Sequence, residues 1–374
     1  MRASCIPDAR PARAVTNPSL LNAAQPARAV APTVKATGLA HLIFERPDLD
    51  QAMRFLGDFG LSFQSRSDEA LYLRGTAGAP YCYRVQRADK PRFVGYGYTV
   101  GARADLEKLA QLPGASSIQP SPHPGGGEFV ALRDPSGFVV EVIHGQDVAS
   151  PLGQREPMTF NVGARRERIN ATQRPPLTPP EVIRLGHVVI EVADWQATSA
   201  WYTKHLGLIP SDVQVLPDGS PAVCFFRLDL GATPADHHTL AIAQGFMPCF
   251  SHAAFEVVDA DAVGMGQRLL RESGWKHAWG IGRHILGSQI FDYWNDPWGA
   301  KHEHYCDGDL FTADHAMGVH PVSREAMAQW GPPMPASFTK PKLSPTAIAA
   351  LISNLRRSPD LSLAKLVTLA RLFA

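Results

Sequence analysis

The stretch GRHILGSQIFDYWNDPWGAKHEHY, residues 282–305, sets His284, Tyr293, Asp296, Glu303 and His304 around a Gly-Pro corner. A strand serving only a core would not carry so many titratable groups. Upstream, His187 and His252 each precede a glutamate by four residues, in H-V-V-I-E and H-A-A-F-E. Strand alternation puts positions i and i+4 on one face and turns Val188, Ile190 and Val192 to the other. That apolar face can pack on a helix, leaving histidine and glutamate toward something polar. Two histidines and one carboxylate on one side of a first-row metal leave its opposite positions open for oxygen chemistry. His187, His252 and Glu303 offer that set. Chain separation carries no signal here, but position does: His187 and His252 begin equivalent strands, and Glu303 closes the D-P-W-G turn.

The chain states one plan twice. GLAHLIFERPDLDQAMRFLGDFGLSF, from Gly38, and RLGHVVIEVADWQATSAWYTKHLGLIP, from Arg184, share a strand with a histidine, an acidic turn, an amphipathic helix and a GL strand entry. RDPSGFVVEVIHG, from Arg133, matches NDPWGAKHEHYCDG, from Asn295, each with D-P-x-G, three residues and a glutamate. An internal duplication over about residues 36–147 and 181–308 follows. Each copy should fold as strand-helix-strand units extended by antiparallel strands. The first copy keeps His41 and Glu141 but has Gly95 where His252 should stand, so it is expected to be a structural relic without a metal site.

Around the copies, residues 1–35 are rich in Ala, Pro and Arg, lack the apolar run of a signal peptide and are expected to be a disordered tail. Residues 148–180 read as an extended linker. Residues 309–374 read as an irregular extension with two short amphipathic helices, SPTAIAALISNLRRS and LSLAKLVTLARLF, packing on the body, where they could lid the pocket, or on a neighbouring subunit. A net charge of +1 gives no field favouring nucleic acid or an anionic membrane, and no apolar run is long enough to span one. The five cysteines are scattered without a CxxC pair, which suits a reducing cytosol rather than a disulfide framework or a thiolate zinc site. Gly125, Gly126 and Gly127 lack the lysine and helix of a phosphate loop.

Taken together, the motifs resemble the type I extradiol ring-cleavage dioxygenases of the vicinal oxygen chelate superfamily. The signature is carried by Arg283-His284, the spacer ILGSQIF, Tyr293, Asp296-Pro297, Gly299 and Glu303. Asp292 stands where that family usually has an apolar residue, and the spacer is near its long limit. The resemblance covers about residues 36–308. It implies an α+β fold of two tandem domains, each of two βαβββ modules forming a cupped mixed sheet. It also implies Fe(II), or Mn(II) in its place, on His187, His252 and Glu303. The D-H-H-T-L-A-I stretch resembles the family's His-His-Thr strand and makes His238 the acid-base residue, while His284 and Tyr293 fall on positions that contact substrate. A histidine titrating near neutrality can take a hydroxyl proton and return it. His284 and Tyr293 can donate hydrogen bonds where charge accumulates. The implied partners are a catechol-type aromatic and O2, in a cytoplasmic homo-oligomer without nucleic acid or membrane.

His237, His302 and His304 alternate away from the proposed site and are expected to be supports. Trp201, Trp275, Trp279, Trp294 and Trp298 could wall an aromatic pocket, but most aromatic residues are core, so at most one or two are expected to touch substrate. Two alternatives stand beside this reading: a glyoxalase-like enzyme of the same superfamily, and a metal-free small-molecule binding module. The His284-to-Glu303 signature and the D-H-H strand argue against the first, the complete triad against the second.

Overall fold

A computed structural model describes residues 25–339 and 344–372. In the first half β1 (Ala36–Arg46) leads through α1 (Leu49–Asp58) to β2 (Ser62–Arg66), β3 (Ala70–Arg74) and β4 (Tyr83–Arg87). The plan repeats in β5 (Arg92–Val100), α2 (Arg103–Leu109), β6 (Gln119–Pro120), β7 (Glu128–Arg133) and β8 (Val139–His144). The second half opens with β9 (Val182–Val192), α3 (Trp195–Leu206), β10 (Ile209–Val215), β11 (Pro221–Arg227), a short β12 (Ala235–Asp236) and β13 (Leu240–Gln244). It closes with β14 (Cys249–Val257), α4 (Ala260–Glu272), β15 (Lys276–Arg283), β16 (Ile290–Asn295) and β17 (Lys301–Cys306).

Each half is one mixed sheet made of two βαβββ modules, and the fold is α+β as expected. The modules meet at their first strands. β1 runs parallel to β4 and antiparallel to β5, just as β9 runs parallel to β13 and antiparallel to β14. Both central strands are covered on two sides, which is why H-L-I-F-E and H-V-V-I-E are apolar between their polar ends. Val188, Ile190 and Val192 join the core, while His187, Val189 and Glu191 face a cavity. Helices α1 and α4 start on aspartate caps: Asp48 accepts from Gln51 N and Asp259 from Ala262 N, both at 2.9 Å. Their inner faces, Leu49, Phe55 and Leu56 on α1 and Val263 and Leu270 on α4, pack on the sheets.

The two D-P-x-G turns are the joints between the halves. In each turn the aspartate folds the corner with one carboxylate oxygen: Asp134 accepts from Ser136 and Phe138 N, Asp296 from Trp298 and Ala300 N. The other oxygen reaches the opposite half. Asp134 accepts from Tyr202 O–H at 2.8 Å, and Asp296 accepts from Arg46 Nε and Nη2 at 3.1 and 2.8 Å. The Arg46 guanidinium also lies over the Phe44 and Trp298 rings. Lysine cannot reproduce both bonds and the stacking. Arg46→Lys should therefore lower stability by about 1.5–3 kcal/mol, the value of one charge-assisted hydrogen bond. Urea denaturation checks this, and an unchanged midpoint would show that the joint carries no stability.

Of the expected tail, residues 1–24 lie outside the described residues. Residues 25–35 run along the second half: Thr33 N donates to Lys204 O at 2.8 Å, and Arg28 and Lys35 both pair with Asp229 at 2.7 Å. Residues 148–180 form no helix, and Arg155 within them clasps the α4 cap residue Asp259. After Asp309 come β18 (Leu310–Phe311), β19 (Gly318–Pro321), α5 (Ala336–Thr339), α6 (Pro345–Arg357) and α7 (Leu363–Leu372). The extension read as irregular thus supplies an edge strand, β19, which pairs parallel with β10.

Candidate active site

Sheet register brings the three expected ligands together. Ala254 of β14 pairs with His187 on β9 and with Glu303 on β17, and His252 lies two residues before it on the same face. His187 Nε2 is 3.3 Å and His252 Nε2 3.4 Å from Glu303 Oε2, and ligand atoms of all three lie within 4.8 Å of one another. Glu303 is fully buried, and neither carboxylate oxygen has a hydrogen-bond partner in good geometry among the described residues. Burial by itself would push this carboxyl up. Contact with His187 and His284, at the edge of hydrogen-bond reach, outweighs this and holds it well below the usual carboxylate range. Burial also pushes the His252 imidazole down to about 3, against the pull of Glu303, so the ring is neutral. A buried, ionised carboxylate without a hydrogen-bond partner is costly on its own and is what a divalent cation relieves. The residues fit a metal. Ring packing orients the donors: His187 lies between His238 at 4.0 Å and Tyr305 at 5.6 Å, and His252 meets Tyr293 edge-on at 5.1 Å.

The first half shows the same register with a different occupant. Gly97 pairs with His41 and with Glu141, so Gly95, two residues earlier, takes the place of His252. Arg84, opposite Ile43, takes the place of Ala241, opposite Val189. Its guanidinium donates to Glu141 Oε1 at 2.7 Å, while His41 Nε2 lies 3.0 Å from Oε2. A side-chain cation neutralises this carboxylate. Nothing in the sequence spacing singled out Arg84.

His238, His284 and Tyr293 all border the same cavity as His187 and His252. His284 Nδ1 donates to the Met327 carbonyl at 2.7 Å, so its Nε2 accepts from Tyr293 O–H at 2.9 Å. Burial raises the Tyr293 phenol well above its ordinary value, which keeps it a donor, and Trp279 stacks behind it. Burial drives the His238 imidazole far down, so this ring is neutral too. Asp292, the departure from the family pattern, is fully buried and accepts from His277, Trp294 and Gln267. That neighbourhood, on the face away from Tyr293, makes an acid as acceptable there as an apolar residue.

The supporting histidines have partners outside the cavity. His302 bonds to Tyr83 O–H at 2.9 Å, and His304 to the Phe59 carbonyl at 2.6 Å, both across to the first half. The tryptophan wall is not found. None of the five tryptophans borders the cavity; Trp275 and Trp294, for example, spend their N–H groups on Asp58 and Asp292. The cavity, about 470 Å³, is instead closed by Leu286, Met327, Met334, Phe338, Leu366 and Leu369. All but Leu286 belong to the extension after Asp309, and Leu366 and Leu369 lie on the second of its two expected helices. No arginine or lysine lines it among the described residues.

Residues 184–303 match the family model of the Glyoxalase/Bleomycin resistance protein/Dioxygenase superfamily. Metapyrocatechase 2 of Cupriavidus necator is 29% identical over 318 residues, covering 84% of this chain and 95% of that protein. Among solved structures, the Mn(II)-bound glyoxalase from Novosphingobium aromaticivorans superposes with a TM-score of 0.68 at 23% identity, over 83% of this chain and 96% of that one. Homoprotocatechuate 2,3-dioxygenase of Arthrobacter globiformis gives a TM-score of 0.67 at 19% identity, over 84% and 94%. These two likenesses carry the fold.

Proposed function

We propose that this chain is a member of the Glyoxalase/Bleomycin resistance protein/Dioxygenase superfamily and an extradiol dioxygenase that opens the ring of a catechol-type aromatic with O2. The observation that carries the reading is the buried Glu303 carboxylate, without a hydrogen-bond partner among the described residues, beside His187 and His252, which border a cavity together with His238, His284 and Tyr293. We assign the chemistry to residues 181–308 and a structural role to residues 36–147.

His187, His252 and Glu303 would hold Fe(II), and the same donors suit Mn(II). When bound, the metal supplies Lewis acidity toward two vicinal hydroxyls and a path for ring electrons to O2. The remaining steps belong to side chains. His238 takes the proton of one substrate hydroxyl and returns it to the product side. Tyr293, whose O–H rests on His284 Nε2, can turn that donor toward substrate oxygen as charge gathers there, and His284, its Nδ1–H held by the Met327 carbonyl, positions the phenol at the substrate. The apolar wall excludes bulk water, which strengthens each of these interactions.

The same wall selects the substrate. A ring carrying a neutral alkyl or aryl group can fill the space between Leu286, Phe338 and Leu366, whereas a carboxylate there would find no cation. After anaerobic loading with Fe(II), oxygen uptake and a yellow ring-opened product are expected. The neutral substituted catechol should exceed the carboxylated one in kcat/KM by about tenfold or more, the scale of one apolar group in such a pocket. No uptake with any catechol would remove the dioxygenase reading.

Cytoplasmic location and homo-oligomeric assembly belong to the same proposal. Cys82, Cys224 and Cys306 are buried thiols, and α6 and α7 expose Ile348, Ile352, Leu363 and Val367. Among the described residues no helix is long and apolar enough to cross a membrane.

A further inference from the structure

Behind His238 runs a chain of polar side chains that the reaction as described does not use. His238 Nδ1 lies 2.9 Å from His237 Nδ1; His237 Nε2 lies 2.6 Å from Asp212 Oδ2; His320 Nε2 lies 2.7 Å from Asp212 Oδ1. His237, His238 and Asp212 are buried, and His320 is partly exposed on the edge strand β19. Gly318 on that strand has to lack a side chain, because a Cβ there would collide with both Asp212 and His320. The chain therefore joins the cavity to the outer edge of the second sheet, and its last member comes from the extension outside the duplicated core.

We propose that Asp212, steadied by His320, is a positioning residue: through His237 it sets the tautomer of His238 and leaves His238 Nε2 as a bare acceptor facing the cavity. The logic is one of donors and acceptors. A carboxylate only accepts, so His237 presents N–H at Nε2 to Asp212. With its single proton committed to Asp212, His237 has a bare Nδ1, and the 2.9 Å contact is then filled by His238 donating from its own Nδ1. With its proton on Nδ1, His238 has its lone pair on Nε2, which makes no hydrogen bond among the described residues. Asp212 is suited to this part. Burial pushes its carboxyl up, but hydrogen bonds from His237 and His320 outweigh that and bring it to about 2, so it is ionised at neutral pH. Two rings relay one decision made at the carboxylate, as a partner on the far nitrogen of a histidine commonly fixes its tautomer.

The inference rests on His238 being the acid-base residue only for its consequence in catalysis; the tautomer itself is a separate observable. Full-length protein labelled with 15N-histidine, with His238 assigned by its loss in His238→Gln, should show a protonated Nδ1 and a pyridine-like, unprotonated Nε2. In Asp212→Asn the amide can donate to His237 Nε2, so the chain reverses and His238 becomes protonated at Nε2. In the Fe(II)-loaded enzyme that variant should lose about 10–100-fold in kcat with little change in KM, the scale of a lost supporting partner. A wild-type His238 protonated at Nε2 overturns the proposal, whether or not Asp212→Asn folds. So does an Asp212→Asn that keeps both tautomer and rate while His238→Gln is inactive. If His238→Gln instead retains full activity, the acid-base reading falls, and the wild-type spectrum still decides the tautomer.

Discussion

His252→Ala is expected to abolish metal binding and oxygen uptake, while His41→Ala leaves both intact. The two histidines look alike in the sequence, since each begins an apolar strand and sits four residues before a glutamate. Their surroundings differ. His252 shares Glu303 Oε2 with His187, and neither carboxylate oxygen has a hydrogen-bond partner among the described residues. Its removal takes away one of three donors, so the loss should exceed the roughly 10–100-fold cost of removing a supporting hydrogen bond at such a site. His41 meets a Glu141 that Arg84 already neutralises. Metal content after dialysis, measured beside oxygen uptake and circular dichroism, separates a lost ligand from a lost fold. Equal metal loss in the two variants would overturn the division into a working half and a structural one.

Arg84→Met should cost about 3–5 kcal/mol of stability, because it strands a buried carboxylate. Arg84 and Glu141 side chains are 5% and 9% exposed, so water cannot take over the guanidinium's role. Burial would raise the Glu141 carboxyl, but the hydrogen bond and charge of His41, then Arg84, bring it from 4.5 to about 2. A depressed carboxyl stabilises fully above its unfolded value. That contribution is lost as pH falls from about 4.5 toward 2. Wild-type protein should therefore weaken across that window. Arg84→Met should be weaker already at pH 7 and lose less on acidification, since protonating Glu141 now relieves it. Replacing both partners, Arg84→Met with Glu141→Leu, should recover most of the loss, as apolar substitutes for buried ion pairs do. Denaturant midpoints at pH 7 and pH 4 check each point, with metal content as a control. A single variant as stable as wild type would show that the carboxylate does not depend on the arginine.

Much of this was legible before any fold was known, and particular residues show where legibility stopped. The H-V-V-I-E pattern put His187 on one face and Val188 and Ile190 on the other, and they lie so. The matched D-P-x-G turns marked the duplication, and aligning the copies put Gly95 opposite His252, as the strand registers do. Arg84 was missed because its facing depends on how β4 pairs with β1. The tryptophans misled because an aromatic side chain advertises bulk, not the side of the sheet on which it is spent. Leu366 lies on a helix that the sequence left as either pocket lid or assembly face, and Phe338 on a segment read as irregular; packing decided both.

The sequence by itself determined the donors and the direction each takes from its own strand, because side-chain alternation is a local property of an extended chain. Tertiary structure alone decided that Glu303 faces His187 and His252, that Asp212 stands behind His237, and that the extension closes the cavity. Those are pairings between segments far apart in the chain. They are set by sheet register and packing, which no local pattern encodes.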